Sequence, residues 1–328
     1  MPFTIHRRRF GRLAAAALVL SLGSAPAALA QAPASLTLVA PAAPGGGWDQ
    51  TARAMQAALE GADVVPSVQV VNVTGAGGTI GLARFVAESS ASPDTILVSG
   101  LIMVGGVLTN KSAVTLDQVT PLARLTGEWE MIAVPAASPI QSIGQLVEQL
   151  KADPGAVSWG GGSAGGTDHM LVGLVAQAAG VDPTSVNYIA HSGGGESLAS
   201  IMGGFVTAGI NGVAEFAPQI ESGALRPLAV SSDERLPAYP DVPTLKESGL
   251  DVSLLNWRGL MVGANVPEAE RTALAQAVDA MAKSPAWQDE LTKRGWVDMY
   301  QPQAEFAPFL DAEQQKVAET LRAIGLTQ

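Results

Sequence analysis

The feature that most constrains this chain is a device used repeatedly: a short apolar run, a loop crowded with glycine, then apolar residues at helical spacing. It occurs at Leu36–Ala40, followed by Pro44-Gly45-Gly46-Gly47 and an amphipathic stretch over 48–59. A second copy runs from 67–73 through Thr74-Gly75-Ala76-Gly77-Gly78 into a helix over 80–87. A third runs from 157–160 through Gly161-Gly162-Ser163-Ala164-Gly165-Gly166, and a fourth from 186–190 through His191-Ser192-Gly193-Gly194-Gly195. Apolar runs alternating with helical patterns at this interval predict a parallel sheet flanked by helices. The first amides of a helix have no internal partner and carry the positive end of its dipole, and glycine lets the main chain approach a ligand closely. Two copies lie in the first hundred residues and two near the middle, so the expected fold is α/β with two lobes. Each lobe is a mainly parallel sheet presenting helix N-termini to a shared cleft.

Other elements follow from periodicity and turn chemistry. Strands are predicted at 95–99, 120–125, 130–134 and 225–231, and a long apolar run at 252–262 carries Trp257 and Arg258 in its middle. Helices are predicted at 142–151, 267–283, 284–294 and 303–324, the last with Phe306, Leu310, Val317, Leu321 and Ile324 on one face.

The first thirty residues read differently. His6-Arg7-Arg8-Arg9-Phe10-Gly11-Arg12 is basic, an apolar run follows over 13–22, and Ala28-Leu29-Ala30 is a small-residue cleavage pattern. This predicts a signal peptide cleaved after Ala30 and a periplasmic protein, exported by the Sec or the twin-arginine route. No cysteine occurs in the 328 residues, which excludes disulfides, thiol catalysis and cysteine-held metal. Beyond residue 30 the chain has 15 basic and 30 acidic residues, a net charge of −15, so nucleic acid is not an expected partner. An anionic ligand would gain nothing from the overall field and must be held by local dipoles and a few cations.

Gly161-Gly162-Ser163-Ala164-Gly165 contains Gly-x-Ser-x-Gly, the nucleophile elbow of α/β-hydrolases, and gives an esterase using Ser163 as the alternative reading. That fold draws its histidine from late in the chain, whereas only His169 and His191 follow Ser163. Two histidines and no carboxylate-rich loop of ligand spacing give no metal site, and the glycine loops hold no lysine, so no nucleotide loop and no cofactor is expected.

A wider set of motifs carries a resemblance. Pro44-Gly45-Gly46-Gly47-Trp48-Asp49 with Ala52-Arg53, Gly75-Ala76-Gly77-Gly78, and Gly162-Ser163-Ala164-Gly165 with His169 are its first part. Gly193-Gly194, Gly203-Gly204, Leu228-Ala229-Val230, Pro240-Asp241-Val242-Pro243-Thr244-Leu245, and Trp257 with Gly259 continue it. Over essentially the whole chain after residue 30 the sequence resembles the periplasmic solute-binding components of tripartite tricarboxylate transporters. The resemblance implies a Venus-flytrap receptor, monomeric and not an enzyme, that captures a carboxylated solute and delivers it to membrane permease subunits. One lobe would comprise 31–129 with 256–328 and the other 130–255, closing about hinges near 130–134 and 252–262. One carboxylate would lie on the amides around Gly46, Gly47, Trp48 and Asp49 and around Thr74, Gly77 and Gly78. Ser163, Gly165 and His169 would face it, Ser192, Gly193 and Gly194 would close over the far end, and Trp257 with Arg258 would complete the site. Many relatives have Pro-Tyr-Lys-Gly where this chain has Ala190-His191-Ser192-Gly193, and Gly-Gly-x-Val-Asp where it has Gly203-Gly204-Phe205-Val206-Thr207. These departures bear on ligand identity, and the Gly-Gly-Gly-Trp-Asp form resembles the branch associated with citrate-like tricarboxylates.

Overall fold

The structure is a computed structural model that describes residues 1–4 and 33–328. The signal peptide expected over 1–30 therefore lies, apart from its first four residues, outside the described residues.

Three strand-to-helix units open the fold: β1 (Leu36–Ala40) and α1 (Gly47–Gly61), β2 (Val68–Asn72) and α2 (Thr79–Ser89), β3 (Thr95–Gly100) and α3 (Leu101–Thr109). β1 lies between β2 and β3 and is parallel to both, with Leu36 opposite Val68 and Thr37 opposite Thr95. Next comes β4 (Val119–Pro135), one strand of 17 residues where the sequence pattern predicts two. Gly127 and the acids Glu128 and Glu130 interrupt the local apolar signal, but a second strand supplies the hydrogen-bonding partner across the interruption, opposite Trp257, Asn256 and Leu255. A Cβ at Gly127 would come within 2.6 Å of Met299 Sδ, so glycine is what lets the strands and their cover approach there.

The chain continues through α4 (Ile143–Ala152), β5 (Ser158–Gly161), α5 (Thr167–Ala178), β6 (Asn187–Ala190) and α6 (Gly194–Met202). Ser142 opens α4 by accepting the Gln145 N–H, an N-cap that satisfies one of the orphan amides. Then follow β7 (Ala208–Gly212), α7 (Val213–Glu221), β8 (Leu225–Val230), β9 (Leu255–Gly263), α8 (Glu268–Ala282), α9 (Pro285–Arg294), β10 (Val297–Pro302) and α10 (Gln303–Ala323). Sequence patterning does not reveal β7, α7 or β10. Ala208-Gly209-Ile210-Asn211-Gly212 holds two glycines and an asparagine, poor strand formers that are carried here between β4 and β5.

The strands run in the order β2-β1-β3-β9-β4-β7-β5-β6, with β8 and β10 also pairing with β4. The outer pairs are parallel and every pair made by β4 or β9 is antiparallel, so each half is a mixed sheet. β4 belongs to both halves: Trp129 pairs with Leu255 of β9, and Glu130 pairs with Gly212 of β7. Two apolar cores follow this division. Leu38, Met55, Ile96, Leu122, Leu260 and the predicted α10 face of Phe306, Leu310, Val317, Leu321 and Ile324 fill one. Ile132, Leu146, Trp159, Leu171, Ile210 and Leu245 fill the main core of the other. No helix among the described residues is long and apolar enough to cross a membrane.

Candidate functional site

The glycine loops leave the C-terminal ends of β1, β2, β5, β6 and β7 and meet between the halves, the crevice where open α/β sheets receive ligands. The cavity there encloses about 570 Å³ of space between the loops, the open solvent at its mouth included. Ten of the fifteen residues singled out in the sequence line it: Gly46, Gly47, Trp48, Gly77, Gly78, Ser163, Ser192, Gly193, Gly194 and Arg258.

α1 begins at Gly47 with Gly46 as its cap, and α6 begins at Gly194 with Gly193 as its cap. Among the described residues the amides of Gly47, Trp48, Gly193 and Gly194 have no hydrogen-bond acceptor, as the first turn of a helix dictates. Trp48 is buried as a wall of the cavity, and a Cβ on Gly78, which sits at φ +86°, would lie 2.7 Å from its ring. Gly77 approaches Ser163 across the cleft, where a Cβ on the glycine would be 3.7 Å from the serine Cβ.

Five of the singled-out residues do other work. Asp49 secures the first loop: it accepts the Gly45 N–H at 2.7 Å, pairs with Arg53 at 3.0 Å, and accepts from Asn72 at 2.9 Å. Thr74 is exposed and outside the cavity wall. Gly165, at φ +73°, packs its backbone on Thr109 of α3. The His169 ring stacks on Tyr188 with centroids 4.0 Å apart, and its Nδ1 accepts the Gly165 N–H at 3.2 Å. Burial pushes this imidazole down to about 4, so it is neutral at physiological pH. Trp257 neighbours Arg258 on a strand and so projects to the opposite face, where Nε1 donates to Glu313 at 2.9 Å and the indole packs edge-on against Phe306 and Phe309.

Several cavity residues carry no sequence motif: Ile102, Asp168, Asn211, Glu215 and Asn256. The signal for Glu215 was available, because Gly212 ends a strand and opens α7 just as the other glycine loops open their helices. Arg258 carries the second signal. A cation in the middle of an apolar strand requires a buried acid, and Glu128 answers it with a hydrogen-bonded ion pair, both side chains 2% exposed. Glu128 Oε1 also accepts the Ala214 N–H of α7 at 2.8 Å, an approach that a Cβ on Gly212 would obstruct at 2.5 Å. Arg258 Nη1 remains buried without a partner among the described residues.

The electrostatics behind the loops are dominated by acid. Burial pushes Glu215 up to about 8, with the Glu128 and Asp168 charges adding to the rise and Arg258 opposing it. Burial also pushes Asp168 up to about 6 against the Gly162 N–H that it accepts at 2.6 Å, and raises Glu130 well above the ordinary range. Glu130 Oε1 accepts from Asn256 Nδ2 at 3.0 Å.

The geometry does not assemble a hydrolase. Among the described residues neither histidine is hydrogen-bonded to Ser163: Nδ1 of His169 takes the Gly165 N–H, and Nδ1 of His191 lies 3.0 Å from the Gly161 carbonyl. Ser163 is also absent from the described non-glycine residues at positive φ, so the strained elbow is not formed. No three His, Asp or Glu side chains among the described residues converge as a metal would need.

Two α/β halves sharing a crossing strand, with glycine loops and helix N-termini of both halves walling one cavity, define the periplasmic-binding-protein fold. The family model for the tripartite tricarboxylate transporter family receptor matches residues 51–326, and the chain belongs to that family. It is 27% identical over 296 residues to protein BugT of Bordetella pertussis, covering 88% of this chain and 89% of that protein. Its fold matches the periplasmic binding protein BugD with a TM-score of 0.80, 22% identity, and coverage of 89% and 98%. It also matches MatC of Rhodopseudomonas palustris with bound malate, at a TM-score of 0.76, 22% identity, and coverage of 88% and 98%.

Proposed function

We propose that this chain is an extracytoplasmic receptor that captures a small carboxylate and hands it to the permease subunits of a tripartite transporter in the membrane, performing no covalent chemistry. The observation that carries the reading is Arg258, a buried guanidinium in the cavity wall whose Nη1 has no partner among the described residues and whose Nη2 side faces Gly47, the residue whose amide at the start of α1 is also free. A carboxylate satisfies both donor types at once, and a charge-assisted bond to a buried guanidinium is among the stronger single contacts a ligand makes. Ser163, on the facing loop, adds a hydroxyl.

In this reading the protein works in the periplasm after removal of residues 1–30. The lobes are 31–129 with 256–328, and 130–255, and they close by rotation about the segments near 130–134 and 252–262. A thermal-shift screen of mono-, di- and tricarboxylates tests the proposal. A ligand at 100 times its dissociation constant should stabilise the fold by about 2.7 kcal/mol. No shift with any carboxylate would overturn it.

A further inference from the structure

We propose that Trp296, which lies outside the cavity lining, is a positioning residue for anion capture: its ring holds the Arg258 guanidinium in one plane, and Arg294 and Gln50 fix the ring in turn. This rests on the carboxylate-receptor reading and adds to it the part of the fold that sets the buried cation.

Among the described residues the Arg258 guanidinium makes one hydrogen bond, from Nη2 to Glu128. A single bond fixes one nitrogen and leaves the planar group free to turn about it. Arginine recognises an anion by the direction of its donors, so the plane requires a second restraint. The Trp296 ring supplies it, with Arg258 Cζ over the ring at 5.0 Å from its centroid. Strand register brings the two together. On β4, Thr126 lies opposite Arg258 of β9 on one side and Asp298 of β10 on the other, so Trp296, two residues before Asp298, falls on the Arg258 face.

Packing alone does not account for a tryptophan here. Trp296 is buried in the first core, yet its Nε1 has no acceptor among the described residues. An apolar side chain would fill the space with no N–H left unpaired. What tryptophan adds is its ring face, the strongest among the aromatics toward a cation, and a second cation uses it: Arg294 Cζ lies over the same ring at 5.1 Å. Arg294 is itself held, with Nε donating to Glu290 at 2.9 Å and Nη1 to Gln50 Oε1 at 3.1 Å. Gln50 Nε2 donates onward to the Gly45 carbonyl at 2.9 Å, in the first glycine loop. Gly295 makes the corner between the two side chains. At φ +65° it ends α9 and lets the Trp296 N–H return to the Leu291 carbonyl at 3.0 Å. The loop that opens α1 and the cation beside it are thus tied to one indole.

The test joins NMR of the full chain carrying isotope-labelled arginine to titration with succinate, malate, adipate and citrate, the probe being whichever raises the melting temperature most. In the unaltered protein, Arg258 should give separate Nη1 and Nη2 signals displaced upfield by the indole ring current. One averaged, undisplaced signal overturns the proposal. Trp296→Leu removes the ring and keeps an apolar side chain, so it should erase the displacement and weaken the probe by at least about tenfold. Trp296→Phe keeps a ring face and should stay within about threefold of the parent. Arg294→Met should weaken the probe by about threefold in the parent and add nothing in Trp296→Leu, because it acts through the ring. Urea midpoints separate this from a packing role. If the Leu and Phe variants lose stability alike and bind the probe alike, or if Trp296→Leu binds within about threefold of the parent, Trp296 is core and no more. Should Trp296→Leu fail to fold, the NMR of the unaltered protein and the partly exposed Arg294→Met variant decide the matter. Binding by none of the four acids counts against the receptor reading itself, and the Arg258 signals then decide on Trp296 alone.

Discussion

Asp49 and Asp168 occupy matching places in the two halves and end in opposite states. Each lies in the first turn of a helix that follows a glycine loop, and each accepts a loop N–H, from Gly45 at 2.7 Å and from Gly162 at 2.6 Å. Burial raises both. For Asp49 the rise is outweighed by Arg53, the Gly45 N–H and Asn72, and the carboxyl ends below its ordinary value. For Asp168 it is not outweighed, and nearby Glu128 adds to it, leaving the group at about 6. The loops are repeats of one device, but the side chains behind them are not. The first half answers its loop acid locally, while the second half leaves both the free amides of Gly193 and Gly194 and the unpartnered Glu215 Oε1 at the cavity.

The largest break in this contrast comes from Arg258, the buried cation set against the acids. Arg258→Met leaves Glu128 buried and unpaired, and the expected cost is about 3–5 kcal/mol of folding stability, read from the urea midpoint. Adding Glu128→Gln should recover part of that loss without restoring carboxylate binding, because the free Nη1 is still absent. Equal stability of Arg258→Met and the parent would show that the buried pair contributes nothing to the fold.

The architecture was legible where local signals agree. Three glycines before Trp48, or two before Thr79, announce a strand-to-helix turn that no neighbour has to impose, and the α10 face follows from spacing alone. What was hidden depends on partners distant in sequence. β4 is continuous because β9 pairs across its break, and β7 is a strand because β4 and β5 flank it. The donor side of the cavity was legible for the same reason, since its amides belong to the motifs. The acceptor side was not, because Glu215 and Asn211 lie in an undetected strand and helix, and Asn256 matters only through its bond to Glu130, 126 residues away. Trp257 and Arg258 were read together, and strand alternation sends them to opposite faces.

A smaller effect sharpens the acidic side. Folded Glu215 holds its proton up to about pH 8, whereas the unfolded side chain releases it near 4.5, so the folded state binds more protons between these values and stability falls as pH rises through them. Glu130 shifts the same way. Asp168 adds a fall between 3.8 and about 6, and His169, lowered to about 4, opposes it up to 6.5. Both are spent by pH 6.5. From there to pH 8 Glu215 alone should cost the ligand-free protein up to about 2 kcal/mol, with Glu130 adding in the same direction and Glu128, Asp168 and Arg258 the charged groups facing Glu215. Thermal melts across that range should slope downward for the parent and be flatter for Glu215→Gln. A parent curve that is flat or rising would sink the assignment.

The smallest effect tests what keeps Asp49 unlike Asp168. Arg53 is half exposed, its side chain 50% accessible against 3% for Asp49, so solvent screens the pair and Arg53→Met should cost under about 1 kcal/mol. The Gly45 and Asn72 bonds remain in that variant, and both favour the charged form. Asp49 should therefore rise toward its ordinary value yet stay ionised at neutral pH, with ligand affinity changing by less than about threefold. NMR titration of the Asp49 carboxyl reads this directly. If it climbed to the neighbourhood of 6, the loop N–H and the amide would be shown too weak to hold an ionised acid at a buried helix start. The difference between the two halves would then come down to one surface arginine.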